Sequence, residues 1–539
     1  MKTLNLKLLS AALTAVLAMS AAHAAVPSST AAPVVRAKSL LASTPGKAQS
    51  FANAGDAFTA TDLPTGAGGV EHVRFERTYK GLPVIGGDLV VHSRNGVLLS
   101  VTQKLKTTQR PASLAPKITA ADAMVEAGAD LGTDFQGTPT ASLVIAALDG
   151  NPALAYQVRL LGTKRDRTPT DMRYLIDANT GRVLAKWDTV HTAEPGGGGV
   201  GCTAGVPAKG TGQSLYLGTV QLDTVKCGSY YQLLDKTRGG GYTVDMAGVQ
   251  STAAGVLVTD TDNKWGNGQS TSRQTDAADA HFGVAATWDY FKSAHGRNGI
   301  ANDGNGAKTR VHYGVGYQNA FWADGCFCMT FGDTMTALDV AGHEMSHGVT
   351  SRSAKLVYSG DAGGLNEATS DIFGTAVEFF VNDAARPPNY LIGEELGAIF
   401  GGDALRYMFK PSLDGQSFDC YSSAVTSADP HYSSGVGNHF FYLLAEGAKV
   451  PAGYGAGTKA NLTPAGLVCN GDTSLAGIGQ KDAAKIWYLA LTAYFTANTT
   501  YPEARVATLN AARDLFGADS AQYRAVAATW SAVSVESAS

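Results

Sequence analysis

The chain has 539 residues, 44% of them hydrophobic and 16% charged, with a formal net charge of -4. That composition belongs to folded protein rather than to a disordered polymer, and the length exceeds what one core supports, so several domains are expected. Without a basic surplus there is no electrostatic case for a nucleic-acid or anionic-lipid partner.

The chain opens with Lys2 and Lys7, an apolar run over residues 8–19 and the small-residue site Ala22-His23-Ala24. The run is shorter than the roughly 20 residues that span a bilayer. Residues 1–24 therefore read as a secretory signal peptide, and the product is expected to be exported and soluble. Export permits disulfides among the six cysteines. Cys202 and Cys227 lie close in a glycine-rich, strand-like region and are the favoured pair; Cys420 with Cys469 is a second. Cys326 and Cys328 pair with each other, pair elsewhere or stay free, since a bridge across one residue is strained.

Residues 25–60 are rich in Ala, Ser, Thr and Pro and are expected to be loosely ordered. The next stretch, "HVRFERTYKGLPVIGGDLVVHSRNGVLLSVTQKL", alternates apolar and polar residues around the turn pairs Gly86-Gly87 and Asn95-Gly96, which is hairpin patterning. A helix is predicted over "TAADAMVEAGADLG", and strands over "ALAYQVRLLG" and "RYLIDANTGRVLAKWDTV". Residues 60–190 thus form an α+β unit with neither cysteine nor clustered catalytic residues. The four glycines of 196–199 form a linker, and processing is expected near residues 191–193, at His191 to Ala193. Basic residues outnumber acidic ones before the linker and the reverse holds after it, so the first part is expected to dock on the second.

Beyond the linker, residues 213–258 are strand-rich, "DAADAHFGVAATWDYFKSAHG" predicts an amphipathic helix, and "RVHYGVGYQNAFW" and "CMTFGD" predict strands. The remainder is mostly helical. Strands first and helices second imply two lobes with a cleft between them.

The chemistry concentrates in "ALDVAGHEMSHGVTS". His343 and His347 are four apart, so on a helix both imidazoles point the same way, one turn apart, and can bind one Zn²⁺. Glu344 projects beside them, where it can take a proton from a water. Alone, this pattern fits a buried helical histidine pair equally well; a third ligand decides. Glu367 lies twenty residues on, in "GGLNEATSDIFGTAVEFFVND", a helical pattern whose Ile372, Phe373, Ala376, Val377 and Phe380 face a core. Asp371, one turn further, is placed to accept the Nδ1–H of a metal-bound histidine. Asp339 precedes His343 by one turn, and Glu378 returns to the face of Glu367. Two carboxylates so placed suit Ca²⁺.

His343-Glu344-x-x-His347 followed by Asn366-Glu367-Ala-x-Ser-Asp371 resembles the thermolysin family of secreted zinc endopeptidases, and within it the pseudolysin and vibriolysin type. The likeness covers most of residues 200–536, through "YQNAFW", "LIGEEL", "GDALRYM", "HYSSGVGNHFFYLL" and "AARDLFG". Residues 60–190 resemble the family's propeptide, a thermolysin-type motif followed by a PepSY-like unit. The resemblance implies an α+β, two-lobed zincin: a strand-rich lobe over 193–348 that includes the zinc helix, and a helical lobe over 349–539. Ahead of them, an α+β propeptide over 25–192 assists folding and blocks the cleft until autoprocessing. A mature monomer hydrolysing proteins and peptides is expected, with no membrane or nucleic-acid partner.

By the same resemblance Tyr358 and His431 donate to the oxyanion, and Asp429 orients His431. Asn319 and the backbone of Ala320 hold substrate as an added strand, while Arg406 bonds a substrate carbonyl. Val340, Ile392 and Leu405 line an apolar pocket, which implies cleavage before bulky apolar residues. Calcium is implied at Asp339 and Glu378, with Asn389 and the carbonyl of Leu391 standing where thermolysin has acidic residues; Asp260 and Asp262 are a further calcium candidate. The segment between Trp322 and Asp339 departs from the family in being shorter and in holding Cys326 and Cys328, so fine subsite preferences do not transfer. A metzincin fits less well, because Thr350 and Ser353 stand where its later glycine and histidine would be, and the related aminopeptidases place their glutamate where Asn366 stands.

Overall fold

The computed structural model describes residues 27–131, 135–163, 169–189, 202, 204–250 and 255–536. The predicted signal peptide, the four-glycine linker and the expected processing point lie outside the described residues. The first unit is a nine-stranded sheet in the order Val97–Gln103, Leu89–Arg94, Val70–Tyr79, Leu82–Ile85, Phe135–Ala146, Ala153–Thr163, Pro169–Asp177, Val183–Asp188, with Asp56–Asp62 paired on Val70–Tyr79. The hairpin through Asn95 (φ 51°) and Gly96 (φ 77°) has both central residues left-handed, the turn whose twist matches its strands. Helix Ala120–Leu131 covers the second half with Ala123 and Ala127 fully buried.

Residues 27–60 are ordered, contrary to the sequence expectation. Pro33 occupies the first turn of helix Ala32–Ala42, and Ser43 caps the next helix, Thr44–Gln49, by accepting from Gly46 N at 3.2 Å. Val34, Ala37 and Leu41 then pack on Phe75, Leu89 and Val91. A three-four-spaced apolar stripe was hidden in low-complexity composition.

Beyond the linker the strand-rich lobe builds a five-stranded and a six-stranded sheet. Helix Arg273–His295 was expected to be amphipathic, but it is buried on nearly all sides, Asp276, Asp279 and His281 included. It runs between the lobes: Ala277 and Trp288 join the core of the strand-rich lobe, and Tyr290 and Phe291 join that of the helical lobe. Helix Leu338–Ser351 (the histidine helix) ends the strand-rich lobe, packing Val340, Ala341 and Met345 into its core, and the helical lobe carries Gly360–Val381 (the glutamate helix), Gly435–Glu446, and Gln480–Leu489 running on into a π-helix, Ala490–Tyr494. Tyr501–Phe516, started by a Thr500/Glu503 capping box, and Ala521–Ala532 complete it. Its centre is Trp487, Phe440 and Trp530, the last two stacked at 3.8 Å. Three disulfides form: Cys202–Cys227, Cys420–Cys469 and Cys326–Cys328.

The first unit docks on the helical lobe. Arg74, almost wholly buried, donates to Thr492 O at 3.0 Å and Phe495 O at 2.7 Å, supplying a cation where the π-helix ends. Lys104 reaches Glu503 at 2.6 Å. The ion pair of Lys355 with Glu76 runs against the expected charge direction. His92 stacks on Tyr494 at 4.5 Å, and His72 meets the same ring edge-on. Val357 packs on the sheet beside Trp187 and Leu175. Among the described residues, none of this unit lines the cleft between the lobes.

Candidate active site

Two glycines let the histidine and glutamate helices approach backbone to backbone. A Cβ on Gly374 would meet Asp339 O at 2.6 Å, and one on Gly342 would meet Gly374 Cα at 2.9 Å. With the helices this close, His343 Nε2 and His347 Nε2 stand 3.0 Å apart. Glu367 Oε2 lies 3.4 Å from the first and Oε1 3.4 Å from the second. Ligands about 2.0–2.1 Å from a tetrahedral ion are separated by roughly 3.3 Å, so the triangle has the size a metal needs.

The tautomers fit as well. His343 Nδ1 bonds Asp371 Oδ1 at 2.8 Å, and His347 Nδ1 bonds Asn366 Oδ1 at 2.9 Å. Both acceptors fix the proton on Nδ1 and turn the Nε2 lone pairs toward each other. Glu367 Oε2 is buried without a hydrogen-bond partner. Burial opposes a charge on His343, but Asp371 and Glu367 outweigh it and push its pKa up to about 9. The site attracts positive charge, as a proton or as a metal. Asp371 is itself held by Arg406, whose Nε and Nη2 donate at 2.8 and 2.6 Å, and by Asn438 Nδ2 at 2.7 Å.

A cleft of about 450 Å³ opens over the triangle. Glu344 faces it, its pKa pushed up to about 7 by burial. Opposite stand Tyr358 and His431, with Tyr358 Oη 3.4 Å from His431 Nε2, and Tyr358 also donates to Glu367. Asp429 Oδ1 accepts from His431 Nδ1 at 2.8 Å. Burial disfavours a charged His431, but Glu367 and Asp429 overcome this and raise its pKa. Val340, Ile392 and Leu405 line the apolar end, joined by Leu396 and Phe400. Asn319 and Ala320 form one wall. Ala320 begins the strand Ala320–Ala323 at the edge of the six-stranded sheet. Every residue assigned to catalysis, substrate or zinc thus lines or supports one cleft.

Behind the histidine helix, ligand atoms of Asp339, Glu378 and Glu395 lie within 4.8 Å of one another. Glu378, Glu394 and Glu395 each keep one buried oxygen without a partner. Burial, then neighbouring carboxylates, push Asp339, Glu394 and Glu395 up to about 7 and Glu378 well above its ordinary value. Asn389 does not turn its oxygen to the cluster: Oδ1 accepts from Leu391 N at 2.6 Å while Nδ2 donates to Glu394. Asp260 spends Oδ1 on the amides of Asp262 and Asn263 and Oδ2 on Gln274 Nε2.

Residues 209–351 match the family profile described as thermolysin metallopeptidase, catalytic domain; residues 354–535 match its alpha-helical domain; residues 57–105 match the fungalysin/thermolysin propeptide motif. Thermolysin of Bacillus sp. (strain EA1) is 35% identical over 493 residues, covering 86% of this chain and 83% of that protein. The chain belongs to the thermolysin family. It is a metalloendopeptidase, and the unit ahead of its catalytic lobes carries the propeptide of this family. A transglutaminase-activating metalloprotease of Streptomyces mobaraensis is 44% identical over 506 residues, or 90% of this chain, which spans 63% of that relative's length. Among solved structures, the precursor of protealysin from Serratia proteamaculans is similar over 55% of this chain and 87% of its own at 28% identity, with a TM-score of 0.41.

Within this thermolysin-family site, sequence reasoning missed four side chains. Asn366 was quoted in the motif without a role, although an amide one residue before a carboxylate ligand is well placed for the second histidine. Glu394 and Glu395 stand in "LIGEEL", where neither spacing nor periodicity ties them to Asp339 and Glu378 on other helices. Asn438 carried no signal, because its meeting with Asp371 exists only in the fold.

Proposed function

We propose that this metalloendopeptidase is exported, uses zinc held by His343, His347 and Glu367, and cuts peptide bonds before bulky apolar residues. The observation that supports this most is the triangle of two aligned imidazole lone pairs and one orphaned carboxylate oxygen on the floor of the cleft. Zinc bound there supplies a Lewis acid that acidifies a water and polarises a carbonyl. Glu344 takes the water's proton and delivers it to the leaving amine. Tyr358 and His431 donate to the oxyanion, their places set by Asp429 and by the helices behind them. Arg406, anchored through Asp371, donates to a substrate carbonyl, and the apolar end of the cleft takes the side chain after the cut. Substrate pairs with the free edge of Ala320–Ala323, Asn319 holding its end.

Asp339, Glu378, Glu394 and Glu395 are assigned to one structural Ca²⁺, whose charge offsets the repulsion of four clustered carboxylates. Residues 25–192 are assigned as the prosegment that guides folding of the helical lobe and is released by cleavage near residues 191–193. The deciding experiment uses Glu344→Ala and His343→Ala in the purified protein, with zinc content and casein hydrolysis measured together. Glu344→Ala keeps about one zinc per chain and loses essentially all activity; His343→Ala loses the metal. Normal turnover by Glu344→Ala defeats the assignment.

A further inference from the structure

The hairpin that ends the six-stranded sheet joins Ala320–Ala323 to Cys328–Phe331, with Ala323 opposite Cys328. The cleft-side strand has a partner on one side only. Ladder hydrogen bonds fix that strand within its sheet, but they do not set its height over the helix beneath. Trp322 makes that connection. Its indole is fully buried and lies against Gly348, the residue after His347: a Cβ at 348 would come within 2.9 Å of Trp322 Cζ2.

Asp324, in the turn, fixes this indole. Its Oδ1 accepts from Trp322 Nε1 at 2.9 Å, from Ser351 Oγ at 2.6 Å and from Arg352 Nη1 at 3.1 Å. Ser351 ends the histidine helix and Arg352 caps it. Arg352 also lies over the ring of Phe327, 5.3 Å from its centroid. Phe327 holds a φ of 51°, a left-handed conformation uncommon outside glycine, and the Cys326–Cys328 bridge closes the turn around it. One carboxylate oxygen thus joins the tip of the substrate-side hairpin to the end of the metal-binding helix.

We propose that Asp324 is a positioning residue for substrate, setting the height of the strand Ala320–Ala323 above the metal site through Trp322, Ser351 and Arg352. This rests on the reading that substrate pairs with that strand. A carboxylate accepting three donors, one of them charged, holds its partners more firmly than neutral bonds do. Without it the indole N–H and the turn are released, and the strand can lift from Gly348.

The test compares the full-length, zinc-loaded chain after processing with its Asp324→Ala, Asp324→Asn and Ser351→Ala variants. Two substrates are used: a peptide long enough to pair along residues 319–323, and a blocked dipeptide that reaches only the metal and the apolar pocket. In Asp324→Ala, KM for the long peptide rises about tenfold with kcat unchanged, as expected for losing charged hydrogen bonds, while the dipeptide keeps both constants. Asp324→Asn, which retains an acceptor oxygen but not the charge, gives a rise intermediate between wild type and Asp324→Ala. Ser351→Ala gives a smaller rise of the same kind and carries the test if Asp324→Ala fails to fold. Equal losses on both substrates, or an unchanged KM for the long peptide, overturn the proposal. A wild-type enzyme that gains nothing from peptide length overturns the strand-pairing reading itself.

Discussion

The interface between the prosegment and the helical lobe should weaken in acid, through His72 and His92. The two rings are buried, with His72 Nδ1 2.8 Å from His92 Nδ1. Such a bond needs one donor and one acceptor, so it accommodates both rings neutral. His92 Nε2 is occupied by Thr102 Oγ1 at 2.8 Å. His72 Nε2 faces Asp514 Oδ2 at 3.9 Å, and Asp514 is itself engaged by Tyr494 and Arg513. Burial pushes His72 down from 6.5 to about 4, Asp514 resisting and Arg513 assisting; His92 is lowered as well, by burial and by His72. The docked pKa is below the free one. Docking is therefore strongest above pH 6.5 and weakens as pH falls, because only the undocked histidine takes up the proton. His72 alone accounts for a loss of about 3 kcal/mol by pH 4, or roughly tenfold per pH unit. Hydrogen exchange on the full chain, corrected for intrinsic rates, should show protection of Val70–Tyr79 and Leu89–Arg94 falling by about two orders of magnitude between pH 7 and 4.5. His72→Phe should make the fall shallower. The same slope in wild type and variant would refute the reasoning.

Other outcomes follow from the same geometry. Asp339→Asn removes one carboxylate from the acidic cluster, and the Tm of the variant should no longer respond to added calcium, unlike that of wild type. Replacing Cys420 and Cys469 by serine opens a loop with a sequence separation of 49 residues, which costs about 4 kcal/mol by chain entropy and should appear as a lower urea midpoint with unchanged KM. Asn366→Ala leaves His347 Nδ1 without its acceptor; zinc affinity should fall about 10- to 100-fold, measured by competition with a chromophoric chelator. Arg74→Met removes the cation from the end of the π-helix and should slow refolding of the full chain without altering the kinetics of the processed enzyme.

Much of this site is legible from residue order because its donors come in local pairs. His343 and His347 share a helix face by spacing, and so do Glu367 and Asp371; once two helices are granted, the only unknown is how closely they pack. What stays hidden depends on that packing. Asn438 reaches Asp371 from a helix remote in sequence, and no periodicity announces it. The ordered start of the prosegment was obscured for another reason. Val34, Ala37 and Leu41 sit among alanines and serines, so the average over a window hides the three residues that bury. The helix Arg273–His295 misled in the opposite direction: its polar residues are buried between lobes, Asp276, Asp279 and His281 meeting partners such as Thr334, Leu215 and Thr243 in the strand-rich lobe, and sequence cannot tell such a face from a wet one.

The backbone contact at Gly342 and Gly374 bears on how this enzyme can be hardened. Exchanging helical glycine for alanine is a standard route to thermostability, because it restricts the unfolded chain. At these two sites the incoming methyl would press on main-chain atoms, which have no rotamer to yield, and would prise apart the imidazoles and the carboxylate that face each other across the gap. Any stabilising programme must leave this pair untouched and seek its gains in the outer helices.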